Sequence, residues 1–179
     1  EGIADEEVEK RLREAVDRRH APGEPMARAA AAIERLDRGD FQGRRWATRR
    51  HLWVDRMACA WLIKRFIDPQ ARFVWLADPA RPPRGVIGFD YAGARFTHVG
   101  ERVSFEVLLA AFGLDDDAAL RRIGQAVHCL DVGGAPVPEA AGLERVLAGL
   151  RALHDGDDAL MAAVTPVFDA LHAAAEDPT

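Results

Sequence analysis

Four side chains of metal-ligand type fall in two short pairs. His98 and Glu101 flank Gly100, and His128 and Asp131 lie three residues apart in a stretch of helical pattern. On a helix that spacing projects an imidazole and a carboxylate from one side, so that they converge. His98 shares a face with Phe96, where an imidazole without a partner is costly. Together His98, Glu101, His128 and Asp131 would make a mixed nitrogen and oxygen set suited to zinc, iron or manganese. The plainer alternative is that each histidine hydrogen-bonds a neighbouring carboxylate inside a helical core. Two such pairs are far less diagnostic than a repeated CxxC pattern, and both readings stand.

A second group is basic: Arg44, Arg45, Arg49, Arg50 and Arg56, followed by Lys64 and Arg65. If Asp55 to Phe66 is helical, Arg56, Ala60 and Lys64 stack on one stripe, and Arg49 or Arg50 joins them from the preceding strand. Forked guanidinium donors suit a tetrahedral oxyanion, which makes Arg49, Arg56 and Lys64 candidate oxyanion ligands. A solvated face whose arginine stems cover Trp46 and Trp53 accounts for the same residues. Asp55 reads as the N-cap of that helix. Paired with His51 or Arg56, it would instead orient a histidine, so His51 and Asp55 are the candidates for proton handling. Cys59 and Cys129 lie far apart among apolar neighbours and read as inert thiols without a disulfide framework. The acids Asp115, Asp116 and Asp117, and Asp155, Asp157 and Asp158, read as helix-start residues.

The elements that must position these groups belong to an ordinary globular chain. Its 179 residues are 49% hydrophobic and 30% charged, enough to bury roughly 70% of the unfolded surface and to exclude a largely disordered protein. No apolar run approaches the roughly 20 residues of a membrane span, and no signal-like start is present, so no membrane partner is expected. Two cysteines fit a cytoplasmic setting, and a net charge of −5 argues against non-specific nucleic-acid binding. Because the first residue is Glu1 rather than Met, upstream sequence is expected to have been removed.

Residues 1–40 read as a helical arm. A narrow seam of Val8, Leu12 and Val16 is followed by a break at Pro22, Gly23 and Pro25, then by a second helix to about Leu36. A seam so thin must pack on the rest of the chain or on a second copy, which favours a homodimer. Residues 41–179 form the main domain. Strands are expected at Ala71 to Leu76, Val86 to Tyr91 and Ala94 to Val99, the last two as a hairpin about Ala92-Gly93. Helices are expected at Asp55 to Phe66, from Ser104, from about Asp116, and twice more to the end, where Asp68-Pro69, Gly113 and Gly133-Gly134 break the chain. The fold class is α+β, predominantly helical, with a small sheet of about three strands packed on a helical bundle.

The block Thr48-Arg49, His51 and Val54-Asp55-Arg56-Met57-Ala58-Cys59-Ala60-Trp61-Leu62-Ile63-Lys64-Arg65-Phe66-Ile67-Asp68-Pro69 resembles the signature of the chromate-resistance protein family, in the domain that ends chromate-resistance protein B. The likeness continues through Phe89-Asp90, His98-Val99-Gly100-Glu101, Ser104-Phe105-Glu106, Asp131 and Ala140 to Leu143, over roughly residues 46 to 175. It implies a role in bacterial chromate resistance, in some members as a chromate-responsive regulator with nucleic-acid binding in a separate N-terminal domain. Residues 1–40 carry no helix-turn-helix pattern, so direct DNA binding by this chain is not expected. Two positions depart from the family pattern: Val103 stands where members often have Cys, and Cys129 where they often have Asp. Either would alter the ligand set if the family's site used it.

Two functions follow. One is a domain that binds or senses a chromate-like oxyanion and carries a metal site. The alternative is a metal-dependent enzyme acting on a small anionic substrate, with His98, Glu101, His128 and Asp131 about the metal. A binding module predicts oxyanion affinity that survives chelation, whereas an enzyme predicts activity that does not.

Overall fold

The computed structural model describes residues 32–176. The expected arm therefore lies mostly outside the described residues. Its last portion, residues 32–37, is irregular rather than helical, with Leu36 N donating to Ala111 O at 2.8 Å. A single 3-10 turn, Arg38–Phe41, then leads into the sheet.

Three strands, β1 (Arg45–Arg49), β2 (Arg72–Leu76) and β3 (Val86–Gly88), form a parallel sheet in the order β2-β1-β3. The central strand carries Trp46, Ala47 and Thr48 in succession, all buried, as a strand covered on both faces requires. Parallel neighbours need a crossover, and α1 (Val54–Leu62) supplies the one between β1 and β2. Every residue of α1 except Arg56 is buried. The helix widens into a π turn over Ile63–Ile67 and stops at Asp68, the residue before Pro69.

Asp68 then fastens the sheet to that stop. Its buried carboxylate accepts from Gly43 N at 2.8 Å, Arg44 N at 2.9 Å, Gln70 N at 3.1 Å and Trp46 Nε1 at 3.0 Å. Burial disfavours the charge, but those donors outweigh it and hold the carboxyl below its ordinary range.

The expected hairpin over Val86 to Val99 does not form. After Gly88 the chain turns at Asp90, which has φ 51°, and Asp90 N and Phe96 N bond to Phe96 O and Gly88 O. Two causes are visible. The left-handed Asp90 breaks the alternation of a strand, and the Tyr91 ring packs so closely on Gly88 that a Cβ there would meet its hydroxyl. The third strand is thus β1, not Ala94 to Val99.

Four helices complete the described chain: α2 (Ser104–Ala111), α3 (Ala118–Asp131), α4 (Ala140–Leu153) and α5 (Asp157–Glu176). Asp117 caps α3 through Leu120 N at 2.9 Å, as its position predicts. The core runs from Trp46 and Phe89 on the sheet through Met57 and Trp61 of α1 to Phe105, Leu120 and Phe168. Asp169 ties α5 to α1, accepting from Trp61 Nε1 at 2.8 Å and from Arg65 through both carboxylate oxygens. The architecture is α+β and largely helical; among the described residues no helix is long and apolar enough to cross a membrane.

Candidate functional site

Side chains able to do chemistry gather at the carboxyl edge of the parallel sheet, the end at which open α/β sheets present ligand sites. Asp55 lies in the first turn of α1, just beyond β1, and Asp90 follows β3 by two residues. His98 arrives on the segment beyond Asp90, and Asp131 ends α3. The register pairs Ala47 with Gly88, and Phe89 N donates to Ala47 O at 2.9 Å, which brings the segment leading to Asp90 against β1.

The centre of this group is His98 Nε2. Asp55 Oδ2 and Asp131 Oδ2 each lie 3.3 Å from it, and Asp90 Oδ1 lies 3.5 Å away. Ligand atoms of Asp55, His98 and Asp131 are all within 4.8 Å of one another. Asp55 and Asp90 are buried, whereas Asp131 sits on the rim with its side chain 25% exposed.

Each buried carboxylate is held from behind. Asp55 is not the cap of its own helix, whose N-cap is Trp53. It caps α2 instead, accepting Ser104 N on Oδ2 at 2.9 Å and Phe105 N on Oδ1 at 3.0 Å. Those amides would otherwise be orphans at a buried helix start. Asp90 accepts the Ser104 hydroxyl at 2.6 Å and faces Arg56 Nη1 at 3.9 Å.

The electrostatics follow from three acids around one imidazole. Burial alone would lower His98, but bonding to Asp131, Asp55 and Asp90 overcomes it and pushes the imidazole up to about 12. Burial, then the charge of Asp90, pushes Asp55 up to about 7. Asp90 is held below its ordinary value: His98, Ser104 and Arg56 outweigh its burial. Cys59, one turn below with its Sγ 3.5 Å from Asp55 Oδ1, has its thiol raised well above the ordinary value by burial and by Asp55, as suits an inert thiol.

Of the four residues expected to ligate metal, His98 and Asp131 come together. His128 pairs with Glu106 instead, Nδ1 to Oε2 at 2.9 Å, and the same Oε2 accepts Val103 N at 3.0 Å. Glu101 is exposed on the turn before α2 and outside the converging group. Val103 is the N-cap of α2, and Cys129 is partly exposed on α3.

Of the expected oxyanion ligands, Arg56 joins the group through Asp90, and Arg49 ends β1 at the same edge of the sheet. Lys64 is two turns of helix away from Arg56 and donates to Ala71 O at 3.0 Å. Of the two candidates for proton handling, Asp55 is central and His51 is not. His51 is exposed in a left-handed turn with φ 62°, its carbonyl accepting Arg56 Nη2 at 3.0 Å.

Asp90 was absent from the expected set. Its signal in the sequence was the Phe89-Asp90 pair within the family resemblance, whose meaning shows only once β1 and β3 are paired.

Residues 46–175 match the family described as the C-terminal domain of ChrB. The chain is 58% identical over 158 residues to "Protein ChrB" of Cupriavidus metallidurans, an alignment covering 88% of this chain and 48% of that protein. The chain thus spans about half the length of the curated relative it matches. No solved structure matches it significantly.

Proposed function

The chain belongs to the ChrB C-terminal domain family, and from that premise we propose that it is a chromate-resistance domain that holds a divalent cation at His98 and binds a chromate-like oxyanion beside it. Asp55, His98 and Asp131 would hold the cation, and Arg49 and Arg56 would supply the forked donors for the anion.

The observation that carries the cation reading is the set of three carboxylate oxygens 3.3–3.5 Å from one ring nitrogen. These separations exceed the roughly 2.7–2.9 Å of a charge-assisted hydrogen bond, and Nε2 has at most one hydrogen to share. Ligand atoms around a tetrahedral cation at about 2.0–2.1 Å lie about 3.3–3.4 Å apart. Three acids are also more negative charge than His98 and Arg56 together neutralise, so a divalent cation would offset the burial and the Asp90 repulsion that raise Asp55. Nitrogen with carboxylate oxygen suits manganese, iron or zinc over copper(I).

A cation there also makes the site fit for an anion. Without one, an incoming dianion meets Asp55, Asp90 and Asp131 before it meets Arg56. With one, the metal replaces the His98 proton and raises the charge of the group by one unit, and Arg56 beside Asp90 offers a donor to the anion. Calorimetric titration of chromate into metal-loaded and metal-stripped protein tests this. Because the acids sit at the centre, the affinity that the sequence alone expects to survive chelation should instead depend on the metal: it is expected in the loaded protein, lowered at least tenfold by stripping or by Arg56→Ala, and binding indifferent to both contradicts the reading.

The rim position of Asp131 favours a second reading, a metal-dependent enzyme. An exposed ligand on one side leaves room for water or substrate, the mark of catalytic rather than structural metal sites. Turnover of an anionic ester that chelation abolishes would favour it.

A further inference from the structure

The turn that joins β1 to α1 already binds an oxyanion group, one supplied by the protein itself. His51 N donates to Asp157 Oδ2 at 2.9 Å, and Leu52 N donates to Asp157 Oδ1 at 2.9 Å. Consecutive amides aimed at one carboxylate form a concave anion site, made here by the left-handed φ of 62° at His51. A non-glycine residue in that conformation is uncommon. The flanking sequence is the arginine-rich stretch Arg49, Arg50 and Arg56.

Asp157 is the first residue of α5, and Gly156 before it has φ 88° with open space where a side chain would be. The next residue, Asp158, accepts Trp75 Nε1 at 2.7 Å. Two adjacent carboxylates thus fasten the start of α5 to the carboxyl edge of the sheet, across a glycine able to act as a hinge. The turn is also wired to the buried centre: one Arg56 nitrogen donates to His51 O, and the other faces Asp90.

We propose that the His51–Leu52 amides are an oxyanion site for which Asp157 is an internal competitor, and that a tetrahedral dianion displaces Asp157 and frees the start of α5. The proposal rests on the reading of this domain as oxyanion-binding, and it adds where the anion enters and what moves. A dianion offers the same two acceptor oxygens with twice the charge of Asp157, and Arg50 and His51 leave the turn exposed to solvent. The readout is the α4–α5 hairpin end, released from Trp75 when Asp158 leaves with Asp157.

The test compares metal-loaded wild-type protein with metal-loaded Asp157→Asn, which keeps the shape of the side chain and removes the competing charge. Chromate is titrated by calorimetry, and colourless sulfate by tryptophan emission. Asp157→Asn is expected to bind chromate at least tenfold more tightly than wild type. Saturating sulfate is expected to shift the emission of the wild type, and Trp75→Phe is expected to lose that shift. Wild-type binding with equal or weaker affinity in Asp157→Asn overturns the latch and leaves the oxyanion reading intact. An isotherm in wild type without any change in Trp75 emission does the same. No binding by either protein overturns both.

Discussion

His98 Nε2 has at most one hydrogen, yet three carboxylates surround it, and this mismatch governs what substitutions there should do. In the metal-free protein His98→Ala leaves Asp55 and Asp90 buried without their cation, a change expected to cost about 3–5 kcal/mol in chemical denaturation. Asp131→Asn, at the rim, is expected to cost less than about 1 kcal/mol in stability while lowering divalent-metal affinity at least tenfold. A stability loss of equal size in both variants, with metal affinity unmoved, would make the group a structural ion cluster only.

The pH dependence has a definite sign. Asp55, raised to about 7, and His98, raised to about 12, both bind protons more tightly folded than unfolded. Their contribution to stability is therefore full below the unfolded values and is lost as pH climbs toward the folded ones. The metal-free domain is expected to lose stability from about pH 4 to 7 through Asp55 and from about pH 6.5 upward through His98, and saturating metal is expected to flatten the loss. Because metal must displace the His98 proton, affinity should rise with pH, by roughly tenfold per unit where one proton is released. Denaturation midpoints and metal isotherms at several pH values check both statements.

At the scale of elements, the helices of residues 54–176 and two of the three strands, β2 and β3, were legible, and the central strand and its parallel pairing were not. The apolar spacing of Leu120, Ile123 and Val127 marks α3 on any reading, and Asp117 caps it where its position says. Of β1 the sequence suggests only a strand ahead of Asp55, without bounds or partners, because Arg45-Trp46-Ala47-Thr48-Arg49 has neither alternation nor an aliphatic run; a short strand buried on both faces leaves no period to detect. Losing β1 also hid Asp90, whose role depends on β3 lying beside β1. Asp55 was seen as a cap, but of the wrong helix, since sequence shows the amides nearest in the chain and not those of α2 across the core. Asp157 and Asp158 were likewise read as local helix-start residues, although both reach to the sheet edge.

The element most dependent on one side chain is the β1–α1–β2 unit. Four donors end on Asp68, so Asp68→Ala is expected to destabilise the domain by about 3 kcal/mol or more. Since bonding depresses Asp68, its contribution is complete above about pH 4 and lost only in stronger acid. Urea denaturation of the variant at pH 7 and pH 3 checks this: the difference from wild type should shrink at the lower pH.

For the molecule as a whole, the parallel sheet places two kinds of group at one edge: carboxylates on a buried imidazole, and arginines at their flank. The resemblance made the family legible from the block Arg49 to Pro69, because those residues serve the edge and the crossover at once. Which histidine joins which carboxylate was not legible, since His98, Asp55 and Asp131 meet only through three separate elements. Both the anion site and the metal-dependent stability require a cation at His98. The most direct measurement is titration of manganese and zinc into metal-stripped wild-type and His98→Ala protein, with bound metal counted by elemental analysis. One equivalent per chain in wild type, abolished in a folded His98→Ala variant, is the predicted result. A wild-type protein that takes up no metal, or a variant that takes it up equally, would contradict it.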